Sequence, residues 1–369
     1  MPEALLPAEI TSFTPGRPTQ GPLPTISALA TASPETSFGQ TEMLDLLGLA
    51  GDPFAEQIFA RCGVHTRGLE ISPESLTQTL QQRTASTEEQ LMRLATRAID
   101  ALDADLDDVG VVVTANYYSL GGPTLAHRLV DHYALRPDTD KYHVVGVGCA
   151  SAVPLMRLAS QALRDRPGEK ALVVAAESVS GFISPVAAGD DKVKIVGAAL
   201  FADGAAAALL SLDAADPGHG PGRGSGPRIV ATAVHQVPDT LDHVRFAVSD
   251  EDSHMRMARE LPALAETGVP ELVHEFLARH EVDAGMIDHW PLHPGGRGII
   301  EALQSGLGLS SDDMAPSAAV LAENGNVGTA SAFFVLQRAI ADRAPQPGEL
   351  SLVITIGPGV TVGLMLLEF

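Results

Sequence analysis

Residues Tyr142 to Leu163 read YHVVGVGCASAVPLMRLASQAL: an apolar run from His143 to Val147, a Gly-Cys corner, then apolar positions recurring at helical spacing. This order predicts a short strand turning through Gly148-Cys149 into a helix, the elementary step of an α/β fold. A cysteine at such a corner has its sulfur near unpaired backbone N–H groups and the positive end of a helix dipole, both of which favour thiolate. Cys149 is therefore a candidate nucleophile; the alternative is a small buried apolar side chain.

Upstream, the β-branched run Val111 to Ala115 predicts a buried strand, and its tip, Asn116 to Pro123, carries Tyr117 and Tyr118 ahead of a helix from Thr124 to Tyr133. Thr87 to Ala104 is an amphipathic helix, Pro53 to Arg61 another, and SFGQTEMLDLLGL from Ser37 reads as a helix behind a Ser or Thr cap. Arg61, His65 and Arg67 form a modest basic group, suited either to phosphate or to a solvated surface. Residues 1–24 hold six prolines and read as an extended arm. Downstream, Lys170 to Ala176 is a strand ending at Glu177, whose carboxylate needs hydrogen-bond partners at a buried strand end and is assigned a structural role. Phe182 to Lys192 is irregular; Ile195 opens a helix, and Ala205 to Leu212 is a strand.

The Gly- and Pro-rich stretch DAADPGHGPGRGSGP, 213–227, separates an N-terminal half (25–212) from a C-terminal half (228–369). The second half repeats the order of the first. Arg228 to Val234 is strand-like, Pro270 to His280 a helix with proline in its first turn, and Met286 to Leu292 a strand ending in His293-Pro294-Gly295-Gly296. Helix Arg297 to Leu307 follows; ENGNVGTA (323–330), carrying Asn326, leads into a small-residue helix. Strands Leu352 to Ile356 and Val362 to Glu368 flank Gly357-Pro358-Gly359. An internally duplicated α/β unit explains the pattern.

Composition narrows the function. The 369 residues are 45% hydrophobic, enough for a large core, and 24 Lys and Arg against 46 Asp and Glu leave a formal charge of -22 that repels nucleic acid and anionic membrane. Two cysteines, Cys62 and Cys149, fit a reducing compartment better than a disulfide framework. With no signal peptide and no membrane-spanning apolar run, a cytoplasmic location is expected.

Cys149, His293 and Asn326 stand at element ends, and a thiol, a base and an amide donor together suit acyl transfer. The stretches GCASAVPLMRLA, ALFADGAAA, HPGGRGIIEAL, NGNVGTASA and IGPGVTV resemble, in order, signature stretches of the type III polyketide synthases, the chalcone synthase-like family. The resemblance implies a thiolase-like five-layered αβαβα fold of two similar halves, a homodimer, no metal and no bound cofactor, with malonyl-CoA and acyl-CoA as substrates. It implies that Cys149 accepts the starter acyl group, that His293 keeps Cys149 ionised, and that His293 and Asn326 stabilise the enolate left when malonyl thioester loses carbon dioxide. Phe201 matches a gatekeeper phenylalanine, Phe246 is a second gatekeeper candidate, and Gly357, Pro358 and Gly359 match the loop that scaffolds the site.

Two departures from the plant members bear on specificity. Their early helix supplies several cations for coenzyme A phosphates, whereas here it offers only Arg61, which leaves delivery by an acyl carrier protein open. Bulky Tyr117, Tyr118 and Phe182 stand where the plant members have small residues, and Gly328 where they have serine; a smaller cavity predicts a small starter or few condensations. The stretch ETSFGQTEMLDLL resembles the bacterial branch that includes dihydroxyphenylacetyl-CoA synthase, in which malonyl units serve as starter and extender. The alternative functions are a ketoacyl synthase III-like enzyme that stops after one condensation or acyl transfer, and a catalytically silent scaffold.

Overall fold

The computed structural model describes residues 22–117, 121–183, 192–212, 226–248 and 253–369. In the first half, strands β1 (Pro24–Ala32), β4 (Val109–Asn116), β5 (Asp140–Val145), β6 (Lys170–Glu177) and β7 (Gly204–Leu212) share one sheet, and β2 (Ser37–Gly39) pairs with β3 (Thr66–Gly68) beside it. In the second half, β8 (Arg228–Gln236), β11 (Ile287–His289), β12 (Leu350–Gly357) and β13 (Thr361–Glu368) continue the sheet, and β9 (Val244–Val248) forms a hairpin with β10 (Ser253–Met257).

The strand order is β11-β12-β13-β8-β1-β7-β6-β4-β5. It repeats about its middle: parallel β4 and β6 followed by antiparallel β7 and β1 correspond to parallel β11 and β12 followed by antiparallel β13 and β8. The two counterparts β1 and β8 meet at a single residue pair, Thr25 with Arg228.

Two helices, Ala152–Ala162 and Ser331–Arg343, bury their small and apolar residues in one core shared with strands of both halves. Strand β4 shows why its sequence is apolar throughout. From Val111 onward the strand alternates, Val111, Val113 and Ala115 facing that central core and Val112 the outer helices Thr87–Asp100 and Leu125–His132, while Val109 joins the outer side because the ladder with β6 slips between Val109 and Val111. The second half is covered by Leu261–Arg279 and Arg297–Leu307 in the same way. The two halves of this one nine-stranded sheet thus both pack on the central helix pair and are covered outside by helices, in keeping with the thiolase-like fold.

Several local expectations are corrected. The stretch from Ser37 is a strand before it is a helix: helix Gln40–Leu46 is capped by Gly39, whose N–H donates to Glu42 Oε2 at 2.7 Å, and no Ser or Thr hydroxyl caps it. Pro270 lies inside helix Leu261–Arg279, not in its first turn, which Pro262 occupies. A proline there removes one helical hydrogen bond and crowds the preceding turn. The chain accommodates it where the neighbouring helix presents Gly306: a Cβ on that residue would come within 2.1 Å of Glu266 O and 2.8 Å of the Pro270 ring. The strand expected over Met286 to Leu292 is only Ile287–His289, with an isolated bridge from Leu292 to Ile354 across Pro291. The strand before Cys149 begins at Asp140 and stops at Val145, because Gly146 turns with φ 81°.

Candidate active site

Cys149 sits in a 3₁₀ turn, Gly148–Ala150, between β5 and helix Ala152–Ala162. Gly148 has φ 54°, and a Cβ there would lie 2.8 Å from the Tyr117 ring and 3.2 Å from Pro358, so only glycine brings the chain this close to both. Asn326 precedes a matching turn, Gly328–Ala330, at the start of helix Ser331–Arg343. Asn326 is held to Leu200 and Ala202 by backbone hydrogen bonds of 2.8 and 3.0 Å, which place Phe201 beside it.

The turns face each other. The Cys149 thiol donates to Asn326 Oδ1 at 3.8 Å, and the same oxygen accepts from Gly328 N–H at 3.0 Å and Ser331 Oγ at 3.1 Å. With its acceptor end occupied, the amide keeps Nδ2 as the end that can donate to a substrate oxygen.

His293 is buried at 2% exposure, its backbone N–H bonded to Ile354 O of β12 at 2.8 Å, and its Nδ1 has no hydrogen-bond partner among the described residues. Gly295 packs on the ring: a Cβ would stand 3.3 Å from Cδ2. No hydrogen bond joins His293 to Cys149 among the described residues. Further along β12, Gly357 lies against the nucleophile turn, where a Cβ would meet Ala150 N at 2.6 Å.

Electrostatics of the site favour neutral forms. Burial, assisted by the Glu177 charge, pushes the Cys149 thiol up to about 12 against the pull of its hydrogen bond to Asn326, and burial pushes His293 down to about 3. For Cys149 the shift opposes the thiolate that the corner alone suggests.

Cys149 opens onto a cavity of about 150 Å³ whose walls include Tyr117, Glu177, Phe182, Phe201, Phe246 and Gly328. Phe246, from the β9 to β10 hairpin, meets Tyr117 and Phe182 edge to face with centroids 5.7 and 5.9 Å apart. Three aromatic residues from distant stretches therefore form one wall. Pro358 joins the same cavity, while Gly359, with φ 62°, turns the chain behind it. Tyr118 lies outside the described residues.

The basic group does not survive as a unit. Arg61 is exposed at the end of helix Pro53–Arg61 and is not among the cavity residues. Arg67 is wholly buried, donating to Ala198 O, with its charge 5.8 Å from the Phe59 ring centroid. It is neither a surface nor a phosphate ligand: it braces the segment leading to Phe201.

Two carboxyls gain importance. Glu177 is the expected buried strand-end acid, accepting N–H bonds from Tyr117 at 3.3 Å and Thr329 at 3.4 Å, but it also forms part of the cavity wall, and burial pushes it up to about 7. Asp203 was not singled out by spacing. It accepts from the backbone of Val179, Ser180 and Glu70 and ties the loop after β6 to the loop after β3; burial raises it to about 6. The signal for it was a lone acid between Ala202 and Gly204 in an apolar run.

Residues 31–221 match the FAE1/type III polyketide synthase-like protein family, and residues 228–369 match the C-terminal domain of chalcone and stilbene synthases. The chain belongs to the type III polyketide synthases, acyltransferases that condense coenzyme A thioesters without a bound cofactor. A 3,5-dihydroxyphenylacetyl-CoA synthase of Amycolatopsis orientalis is 25% identical over 355 residues, covering 93% of each chain. An alpha-pyrone synthesis polyketide synthase-like protein of Mycobacterium tuberculosis is 28% identical over 362 residues, covering 93% of this chain and 90% of its own. PKS-I of the brown alga Ectocarpus siliculosus superposes with a TM-score of 0.83 at 26% identity, covering 95% of this chain and 99% of that one. No described helix is long and apolar enough to cross a membrane.

Proposed function

We propose that Cys149 carries the acyl chain through decarboxylative condensation with malonyl-CoA, and that His293 and Asn326 serve the proton and the oxyanion. The observation that carries this reading is the 3.8 Å contact between Cys149 and an Asn326 amide oriented with its donor end free for substrate, at an aromatic cavity. His293 takes the thiol proton as Cys149 attacks the starter thioester, and returns it to the departing coenzyme A sulfur. Malonyl-CoA then loses carbon dioxide. The electron pair of the breaking C–C bond moves into an enolate, whose oxygen accepts hydrogen bonds from Asn326 Nδ2 and His293. The enolate carbon attacks the Cys149-bound carbonyl, the sulfur leaves, and the chain is longer by two carbons. A buried, neutral His293 suits this role because it donates without holding the malonyl carboxylate as a salt.

The small cavity and its wall of Tyr117, Phe182 and Phe246 support a small starter or few condensations, and the relatedness to a 3,5-dihydroxyphenylacetyl-CoA synthase supports malonyl units as both starter and extender. A homodimer is the expected assembly, with coenzyme A, not a carrier protein, as the first donor to test.

The test is incubation with malonyl-CoA, alone and with acyl-CoA starters, following carbon dioxide and product mass beside Cys149→Ala. A polyketide mass from the native protein and none from the variant is expected. Products with a single added two-carbon unit would move the chain to the ketoacyl synthase III-like reading, and no carbon dioxide from any thioester would sink both.

A further inference from the structure

We propose that Lys194 and Arg245, at the rim of the cavity holding Cys149, bind the phosphates of the coenzyme A thioester in place of cations absent from helix Pro53–Arg61; this rests on the condensing activity proposed above. Among the described residues lining the cavity, the charged ones are these two and Glu177. They are graded in depth: Arg245 is exposed, Lys194 half-buried, and Glu177 buried beside Cys149. A ligand whose reactive end reaches the thiol and whose anionic end stays outside meets charge in that order.

The rest of the chain makes a local cation necessary. A formal charge of -22 opposes a multiply anionic ligand, and helix Pro53–Arg61 carries Glu56 in its first turn and Arg61 at its far end. A neighbouring helix lends this one a cation: Lys192, at the start of Lys192–Leu200, holds Nζ 4.9 Å from the Phe54 ring centroid.

Arg245 pairs with Asp242 at 3.2 Å, with the two side chains 63% and 58% exposed. Such a pair is weak in water and is readily exchanged for a phosphate, which the guanidinium fork can grip bidentately. The malonyl carboxylate is a poor alternative ligand. A cation bound to it would stabilise the reactant whose negative charge must leave, raising the barrier to decarboxylation. Phe201 adjoins Asn326, and the Tyr117 ring packs on Gly148 next to the thiol.

The experiment compares malonyl-CoA with malonyl-N-acetylcysteamine, which keeps the thioester and lacks the nucleotide, in Lys194→Glu, Arg245→Glu, Lys194→Arg, Arg245→Lys and Arg61→Glu. In the two charge reversals the ratio of kcat/KM for malonyl-CoA to that for the truncated thioester should fall roughly ten- to hundredfold, mostly through KM. The charge-conserving variants should restore most of it, and Arg61→Glu should change it less. An equal loss on both thioesters, or a larger drop from Arg61→Glu, overturns the assignment. Calorimetry with desulfo-coenzyme A separates the two readings. If the native protein binds it and the reversals do not, the phosphate site stands even where condensation is absent. Unaltered binding by the reversals refutes the site while leaving the condensing function intact, and no binding by the native protein removes the site altogether.

Discussion

In the first half of the molecule Gly148, with φ 54°, opens a 3₁₀ turn that runs into helix Ala152–Ala162; in the second, Gly328, with φ 53°, opens a 3₁₀ turn that runs into helix Ser331–Arg343. The backbone device is shared, and the surroundings differ. Behind Gly148 stands the Tyr117 ring; behind Gly328 stands the Glu177 carboxyl, 2.9 Å from where a Cβ would be. Among the described residues the Cys149 sulfur hydrogen-bonds to Asn326 Oδ1 and otherwise faces the cavity. The amide of the second is fixed by three donors to one oxygen. On the function proposed above, the first turn presents the group that reacts and the second supplies fixed polarity, which is the division that oxyanion stabilisation requires.

The sharpest way to break that division is Asn326→Asp. The aspartate can accept the same three donors, yet it has nothing to donate and adds negative charge beside the enolate. Decarboxylation of malonyl-CoA should fall on the order of 10²–10³-fold, as for loss of an oxyanion donor, with the fold retained by circular dichroism. A drop of less than threefold would mean that Asn326 only holds the turns together.

Next in size is Glu177→Gln, which removes the charge shared by both turns. Alkylation of Cys149 by iodoacetamide should show its inflection at lower pH than in the native protein, since the Glu177 charge helps hold the thiol up to about 12. Stability should respond as well. A carboxyl whose folded pKa lies above its unfolded value takes up a proton on folding. Its stabilising contribution is therefore complete below about 4.5 and is lost as pH rises through about 7 for Glu177. Denaturant melts should lose on the order of 3 kcal/mol across that window in the native protein and visibly less in the variant.

Gly328→Ala should cost about 1–3 kcal/mol through its positive φ and its contact with Glu177. The double variant with Glu177→Ala should recover the contact part only, whereas Gly148→Ala should be rescued by Tyr117→Ala and not by Glu177→Ala. Rescue in the crossed pairs would show that the two turns do not have separate backings. The smallest expected effect is on product size: Tyr117→Ala or Phe182→Ala opens the aromatic wall, and product mass should shift by added two-carbon units while the first condensation persists.

The two turns were legible in the sequence because each combines a glycine corner with a following small-residue helix, a local signature. What escaped is what only packing decides. Arg67 reads as surface charge by residue type, and burial is set by helix Lys192–Leu200, far away in the chain. Pro270 reads as a helix start by the local rule; its tolerance depends on Gly306 in another helix. Strand β1, PTISALATA, alternates too weakly to stand out beside a proline-rich arm, though it pairs along its length with β7. Glu177 was seen as a buried acid needing partners, and its place in the cavity wall follows from a contact with Thr329 across the halves.

Thr25 and Arg228 are the one ladder pair between β1 and β8, and the Cys149 and Asn326 turns, one from each half, meet by a side-chain hydrogen bond. On the function proposed above, neither half alone holds Cys149, His293 and Asn326 together: the first carries the thiol, the second the imidazole and the amide. Activity reports on the fit between them: a strain that shifted one half against the other by an ångström or two would silence the chemistry while leaving each half's strands and helices in place.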